Sequence, residues 1–153
     1  MSSDSSITGI GDVDVLFSRV PYVGFLLNKA AVVTVQQVNA ALEPFGIRIQ
    51  HYIGLLLLSQ MDEPLPQKEI GEILRIDRNT MVSLTDTLEG LALVTRARDV
   101  NDRRAYAISI TDKGRDLVAE AGGVVADVDA NLVNGLTAEE LTQLSQLLLK
   151  LLR

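Results

Sequence analysis

Residues 66–114 read PQKEIGEILRIDRNTMVSLTDTLEGLALVTRARDVNDRRAYAISITDKG. The first half holds two short apolar patterns of helical period, the first from Pro66 to Leu74 with Ile70, Ile73 and Leu74 facing inward, the second from Arg78 to Glu89 with Met81, Leu84 and Leu88 as its buried stripe. Arg75-Ile76 makes the turn between them, and Asp77 is placed to cap the second helix by accepting an orphan backbone N–H. Val94 to Asp99 and Ala105 to Ile110 then alternate apolar and polar side chains around Val100-Asn101-Asp102-Arg103, the pattern of a hairpin, and Thr111 caps a new helix. Helix, turn, helix and an arginine-bearing hairpin in this order predict a winged helix-turn-helix, a mainly α fold with a small β-hairpin wing (α+β), and DNA as the partner.

The flanks are helical. Val23, Leu26, Leu27, Ala30, Val33, Val38 and Leu42 return to one face of a helix from Pro21 to about Leu42, which Pro44 and Gly46 bring to an end. A second helix is expected over Ile49–Gln60, apolar nearly all round and therefore central, followed by a connector at residues 61–65. The helix that Thr111 starts meets Gly122-Gly123, an expected interruption. Thr137 and Glu140 form a capping box for a last helix, in which Leu141, Leu144, Leu147, Leu148, Leu151 and Leu152 make a leucine face broad enough to predict, together with the first helix, a homodimer surface. The expected organisation is one subunit, 1–153: a loose tail at 1–11, dimerisation helices at 12–46 and 115–153, and the winged lobe at 47–114.

Composition narrows the function. Apolar residues make up 47% of the 153 while aromatics are 4% and Trp is absent, so the core is built from aliphatic side chains, as in helical proteins. Without cysteine there are no disulfides and no thiolate metal sites, which suits a cytoplasmic home. The start of the chain lacks the basic and apolar blocks of a signal peptide. The longest apolar run, Ile53–Leu58, falls far short of the ~20 residues of a membrane span, so no membrane is expected among the partners. A net charge of -6 at first argues against nucleic acid. Its distribution reverses that: residues 66–115 carry nine Lys/Arg against eight Asp/Glu, and the rest of the chain five against twelve.

Leu88 to Arg96, then Asp99 to Ala105, then Ile108 to Gly114 resemble the signature of the multiple-antibiotic-resistance regulator (MarR) family. The resemblance runs back through Gln67-Lys-Glu-Ile-Gly71 and Phe45-Gly-Ile47 to about Pro21, some 130 residues. It implies a homodimeric winged-helix transcription regulator, often a repressor, that binds a pseudo-palindromic operator on double-stranded DNA and is released by a small phenolic or aromatic acid. Three positions depart from the family pattern: Pro66 where a capping Thr or Ser is common, Arg75 where a turn Gly is usual, and Ala92 where a Gly usually precedes the first wing strand. Were Arg75 to require a positive φ, it would carry a local cost that Gly avoids.

The residue chemistry supplies candidate DNA contacts. The second helix of the motif spans ~18 Å and fits a major groove. Arg78 and Asn79 lead its first turn, Arg suiting guanine and Asn adenine through bidentate pairs, while Thr80 and Ser83 can reach phosphate, and Thr80 a thymine methyl. In the hairpin, Asp102 and Arg104 fall on one side of an extended strand. The resemblance implies that such an Arg enters the minor groove while the Asp orients it; Arg103 is the alternative contact, and a surface salt bridge closing the hairpin is the plainer role for the pair. Arg96 and Arg98 flank the wing base, to neutralise phosphate or to pair with acids.

His51 is the lone histidine, too little for a metal site or a nucleophilic triad, and is expected to be a hydrogen-bonded residue at a lobe seam. No metal, cofactor or catalytic constellation is indicated, so an enzyme is not expected. The family's effector pocket lies between dimerisation helices and DNA-binding lobe, where Arg19, Tyr22, Lys29, His51 and Tyr52 would clamp and stack an anionic aromatic ligand. The competing functions are a winged-helix protein-interaction module without DNA binding, which the net acidity keeps open, and a small-molecule binding protein.

Overall fold

The computed structural model describes residues 22–99 and 105–153. They fall into two compact units that divide between Gln36 and Gln37. Helix α1, Val23–Leu42, crosses that division. Its first-unit part is largely exposed, including Val23, Leu26 and Leu27 of the expected apolar face, though Val33 is half-buried, and Tyr22 packs edge-on to Phe25 with ring centroids 5.5 Å apart. Only Val38 and Leu42, both in the second unit, are buried.

The second unit is built in chain order from α2 (Ile49–Ser59), β1 (Leu65–Pro66), α3 (Gln67–Leu74), α4 (Arg78–Gly90), β2 (Val94–Arg98), β3 (Tyr106–Ile110), α5 (Asp112–Leu132) and α6 (Ala138–Leu152). Between α1 and α2 a 3-10 turn at Glu43–Phe45 closes on Gly46, whose φ of 69° is the left-handed conformation that glycine adopts freely. The side chain of Asn39 accepts the Ile49 N–H at 2.8 Å, answering one of the four orphan donors at the start of α2.

One aliphatic core holds α2, α3, α4 and the sheet together. Leu42, Leu55, Ile70, Leu88, Leu93 and Ile108 are all but fully buried, and each such side chain withdrawn from water contributes ~1.5–3 kcal/mol before chain entropy is charged against it. Met81, Leu84 and Leu88 form the inward stripe of α4, as its spacing predicts. Two expectations change. Ile73 is half exposed, because the eight-residue α3 presents only Ile70 and Gly71 squarely to the core. Helix α2 is buried on one face, at Tyr52, Gly54, Leu55 and Leu58, and leaves Ile53 and Leu56 in the open.

The sheet has three antiparallel strands in the order β1-β3-β2. The expected hairpin pairs Val94 with Ile110 and Arg98 with Tyr106, and the Asp99 N–H reaches the Ala105 carbonyl at 3.1 Å. The third strand takes the last residue of the expected connector and the first of the expected helix: Leu65 pairs with Ile108 and Pro66 with Ala107, at an edge where the missing proline N–H costs no ladder bond. Helix α5 passes unbroken through Gly122-Gly123. Two glycines cost a helix ~2 kcal/mol against alanine, but fully buried Ala121 anchors α5, and Gly122 faces the Tyr52 hydroxyl on α2.

Candidate nucleic-acid interface

Helix α4 begins as its sequence predicts. Asp77 is extended (φ -70°, ψ 164°), and its carboxylate accepts the N–H groups of Asn79 at 2.9 Å and Thr80 at 3.1 Å. Thr80 also donates its hydroxyl to the second carboxylate oxygen at 2.5 Å. These bonds, the Thr80 hydroxyl first, hold the Asp77 carboxyl below the usual carboxylate range. Thr80 is thereby engaged in the cap rather than presented outward with its neighbours.

Arg78, Asn79 and Ser83 are exposed on the face of α4 turned away from the core. Val82, 38% exposed, and Asp86 complete that face. Asn79, Val82, Ser83, Asp86 and Thr87 line one shallow open hollow along the helix. Val82 and Asp86 were absent from the sequence candidates, yet the period signals them: they stand three and seven residues beyond Asn79. The helix is roughly 20 Å long at 1.5 Å per residue, with no side chain of its core stripe on this face.

Arg96 leaves the wing and returns to α4. Its Nη2 bonds the Asp86 carboxylate at 2.5 Å, its Nε lies 3.4 Å from Glu89 as an ion pair without hydrogen-bond alignment, and its guanidinium stands 5.5 Å from the Tyr106 ring centre. The side chain is 17% exposed. Arg96 is thus a strut between β2 and α4, set against the carboxylates of Asp86 and Glu89. Arg98 stacks on Tyr106 at 4.4 Å, a cation–π contact from the outer part of the hairpin. Asp102, Arg103 and Arg104 lie outside the described residues.

Two turns fix where α4 points. At its amino end Arg75 closes α3 in the left-handed region, φ 53° and ψ 42°, and the Ile76 N–H returns to the Gly71 carbonyl at 3.0 Å. At its carboxyl end Ala92 has φ 59°, and the Leu93 N–H returns to Leu88 at 2.9 Å. Both are the positions where the sequence departs from glycine. The Thr111 hydroxyl reaches the carbonyls of Ala92 and Leu93 at 2.9 and 3.1 Å while accepting the Gly114 N–H at 3.0 Å, and Lys113 bonds the Leu91 carbonyl at 2.8 Å. Gly114 is required by space: a Cβ there would collide with the Leu93 carbonyl oxygen and stand 2.7 Å from Ile110 Cγ1. At Gly71, by contrast, a Cβ would meet its neighbours at ordinary van der Waals distance, 3.5 Å or more.

A hollow of about 710 Å³ lies between α3, α4 and the wing strands, with Lys68, Arg75, Arg78, Arg96 and Tyr106 on its walls. Glu72 stands on the same wall, 3.6 Å from Lys68, so the cations of this hollow are partly offset.

Four of the five expected effector residues are among the described residues. Arg19 lies outside the described residues, and exposed Tyr22 and Lys29 belong to the first unit. On α2 Tyr52 is buried, while His51 accepts the Arg48 N–H on its Nδ1 at 3.0 Å, closing the first turn of the helix. Burial and then the neighbouring Arg48 charge lower the His51 pKa, so the ring is held in its neutral, accepting form.

The MarR family model matches residues 48–106. Across the whole fold, the transcriptional repressor CouR bound to a 23-mer DNA duplex is similar at 28% identity and TM-score 0.80, over 97% of this chain and 100% of that one. A MarR-family transcriptional regulator from Rhodococcus sp. RHA1 is 29% identical with TM-score 0.77, over 82% of this chain and 90% of that one. CouR from Rhodococcus jostii RHA1 bound to p-coumaroyl-CoA is 28% identical with TM-score 0.75, over 83% and 88%.

Proposed function

We propose that this chain, which carries a MarR-family winged-helix domain at residues 48–106, is a homodimeric repressor that reads double-stranded operator DNA with α4 and is released by a small aromatic acid or its thioester. The observation that carries the proposal is the outward row Arg78, Asn79, Val82 and Ser83, mounted on a helix whose other face is locked into the core. The row offers a guanine fork, an adenine clamp, an apolar surface for a thymine methyl and a hydroxyl, the side-chain set that major-groove edges accept. A second copy is supported by the open leucines of α6 and the open apolar residues of α1, which a single chain leaves in water. With two copies, two α4 helices would address major grooves ~34 Å apart, and the wing residues Asp102, Arg103 and Arg104 the flanking minor grooves.

The effector class follows from a similar protein, CouR, which was captured with an aromatic acyl thioester. Arg19, Tyr22, Lys29, His51 and Tyr52 remain the proposed clamp. Release works by population shift: the effector must bind better to a conformer whose two α4 helices no longer match successive grooves. Fragments selected from genomic DNA and bound at two salt concentrations test the DNA reading, since affinity carried by phosphate contacts must fall steeply as salt rises. Arg78→Ala relaxes the preference at one base pair by about 1–3 kcal/mol if Arg78 reads a base, and weakens all sequences alike if it holds phosphate. No selected DNA, or binding indifferent to salt, overturns the proposal.

A further inference from the structure

Arg75 holds a left-handed backbone conformation that glycine would adopt without strain, and its backbone N–H already serves the turn by reaching the Glu72 and Gly71 carbonyls. The turn therefore gives no reason for an arginine. The side chain does something else: its Nη2 donates to the carbonyl oxygen of Leu152 at 2.9 Å, across 77 positions of sequence. That oxygen belongs to the last turn of α6, where carbonyls lack intrahelical partners and carry the negative end of the helix dipole, so a guanidinium is matched to it in both geometry and charge.

Helix α6 contributes no buried side chain to the core. Its leucine face is the surface the proposed dimer covers. Only Ile76 and Asp77 separate Arg75 from the first residue of α4, and Asp77 is the cap that fixes the start of that helix. We infer that Arg75 is a positioning residue: by tying the turn before α4 to the carboxyl end of α6, it sets the recognition helix relative to the helix that joins the two copies, and so the spacing between half-sites. This inference rests on the dimeric DNA-binding function proposed above.

The test is Arg75→Gly in the full-length protein, a change that relieves the backbone and so leaves the thermal midpoint unchanged or higher. Two readouts follow. Without DNA, amide exchange in the last turn of α6 becomes several-fold faster. With the selected operator, affinity falls about fivefold, as expected when an oriented element is freed, and the preference for the native half-site spacing over spacings one base pair longer or shorter shrinks by a similar factor. The salt slope stays as in the wild type. Unchanged exchange together with an unchanged spacing preference overturns the inference. So does a salt slope reduced by ~1, which would make Arg75 a phosphate contact. If the wild-type protein selects no DNA, the positioning role falls with the proposed function, and the exchange measurement tells that outcome apart from failure of the cross-link.

Discussion

Ala92→Gly should stabilise the protein, although it deletes a methyl group and loosens the unfolded chain. At φ 59° Ala92 carries the left-handed penalty of an L-residue, ~1–2 kcal/mol. Glycine removes that penalty but costs ~0.5–1 kcal/mol through its greater freedom when unfolded. The difference is a gain of about 0.75 kcal/mol at the midpoints and at most about 1.5 kcal/mol, or roughly 2–3 °C and at most about 6 °C for a chain of this length. The turn's bonds, Leu93 N–H to Leu88 and Thr111 hydroxyl to Ala92, use only backbone atoms of residues 92 and 93 and survive the change. Gly46→Ala is the mirror experiment: φ is 69° and no atom lies within 4 Å of the added Cβ, so the loss expected there is the backbone term alone. Urea unfolding at one fixed protein concentration reads both, with the midpoint moving in opposite directions and the slope constant. A lower midpoint for Ala92→Gly, or none of the expected loss for Gly46→Ala, would show that positive φ is not what these turns pay.

Gly114→Ala should destabilise by about 3 kcal/mol, because the Leu93 carbonyl it strikes is pinned by Thr111 and cannot yield cheaply; a loss below ~1 kcal/mol in chemical denaturation would show that the crevice relaxes. His51 supports α2 only while neutral. Since burial and Arg48 lower its folded-state pKa, that support is complete above the ordinary imidazole range and is lost as pH falls through the lowered value. Between pH 7.5 and 5.5, roughly spanning that range, the thermal midpoint of the wild type should fall further than that of His51→Gln; equal falls would dismiss the imidazole. Val82 offers an apolar surface to a thymine methyl, so replacing single operator thymines with deoxyuridine should weaken the wild type at one position and leave Val82→Ala indifferent there. Sensitivity retained in the variant would place that methyl against another residue.

Local chemistry was the legible part of the fold. Asp77 caps α4, and Thr137 with Glu140 forms the capping box of α6 at 3.3 and 2.8 Å, because each device needs only residues within one turn. The hairpin strands were readable from alternation. β1 was not, since two residues have no period and their partner is far along the chain. The continuity of α5 through Gly122-Gly123 depends on packing against α2, which a propensity cannot report. Among the site residues, the outward placement of Arg78, Asn79 and Ser83 followed from helix phase. Pairing with acids was one of the two roles expected of Arg96, but which acids was not legible, because that requires knowing that β2 lies beside Asp86 and Glu89. Arg75 was legible halfway: its cost could be anticipated from the missing glycine, but not the Leu152 carbonyl that its side chain finds.

The pairing of Leu65 with Ile108 joins positions 43 residues apart, and everything between them is α3, α4 and β2 with their connections. The helix-turn-helix and the first wing strand therefore form a closed loop sealed by its own edge strand. Closing such a loop costs entropy that grows only slowly with its length, so residues can be inserted between β2 and β3 at small expense while the seal holds. During synthesis the seal cannot form until Ile108 has left the ribosome, so α4 emerges before the strand that completes its sheet.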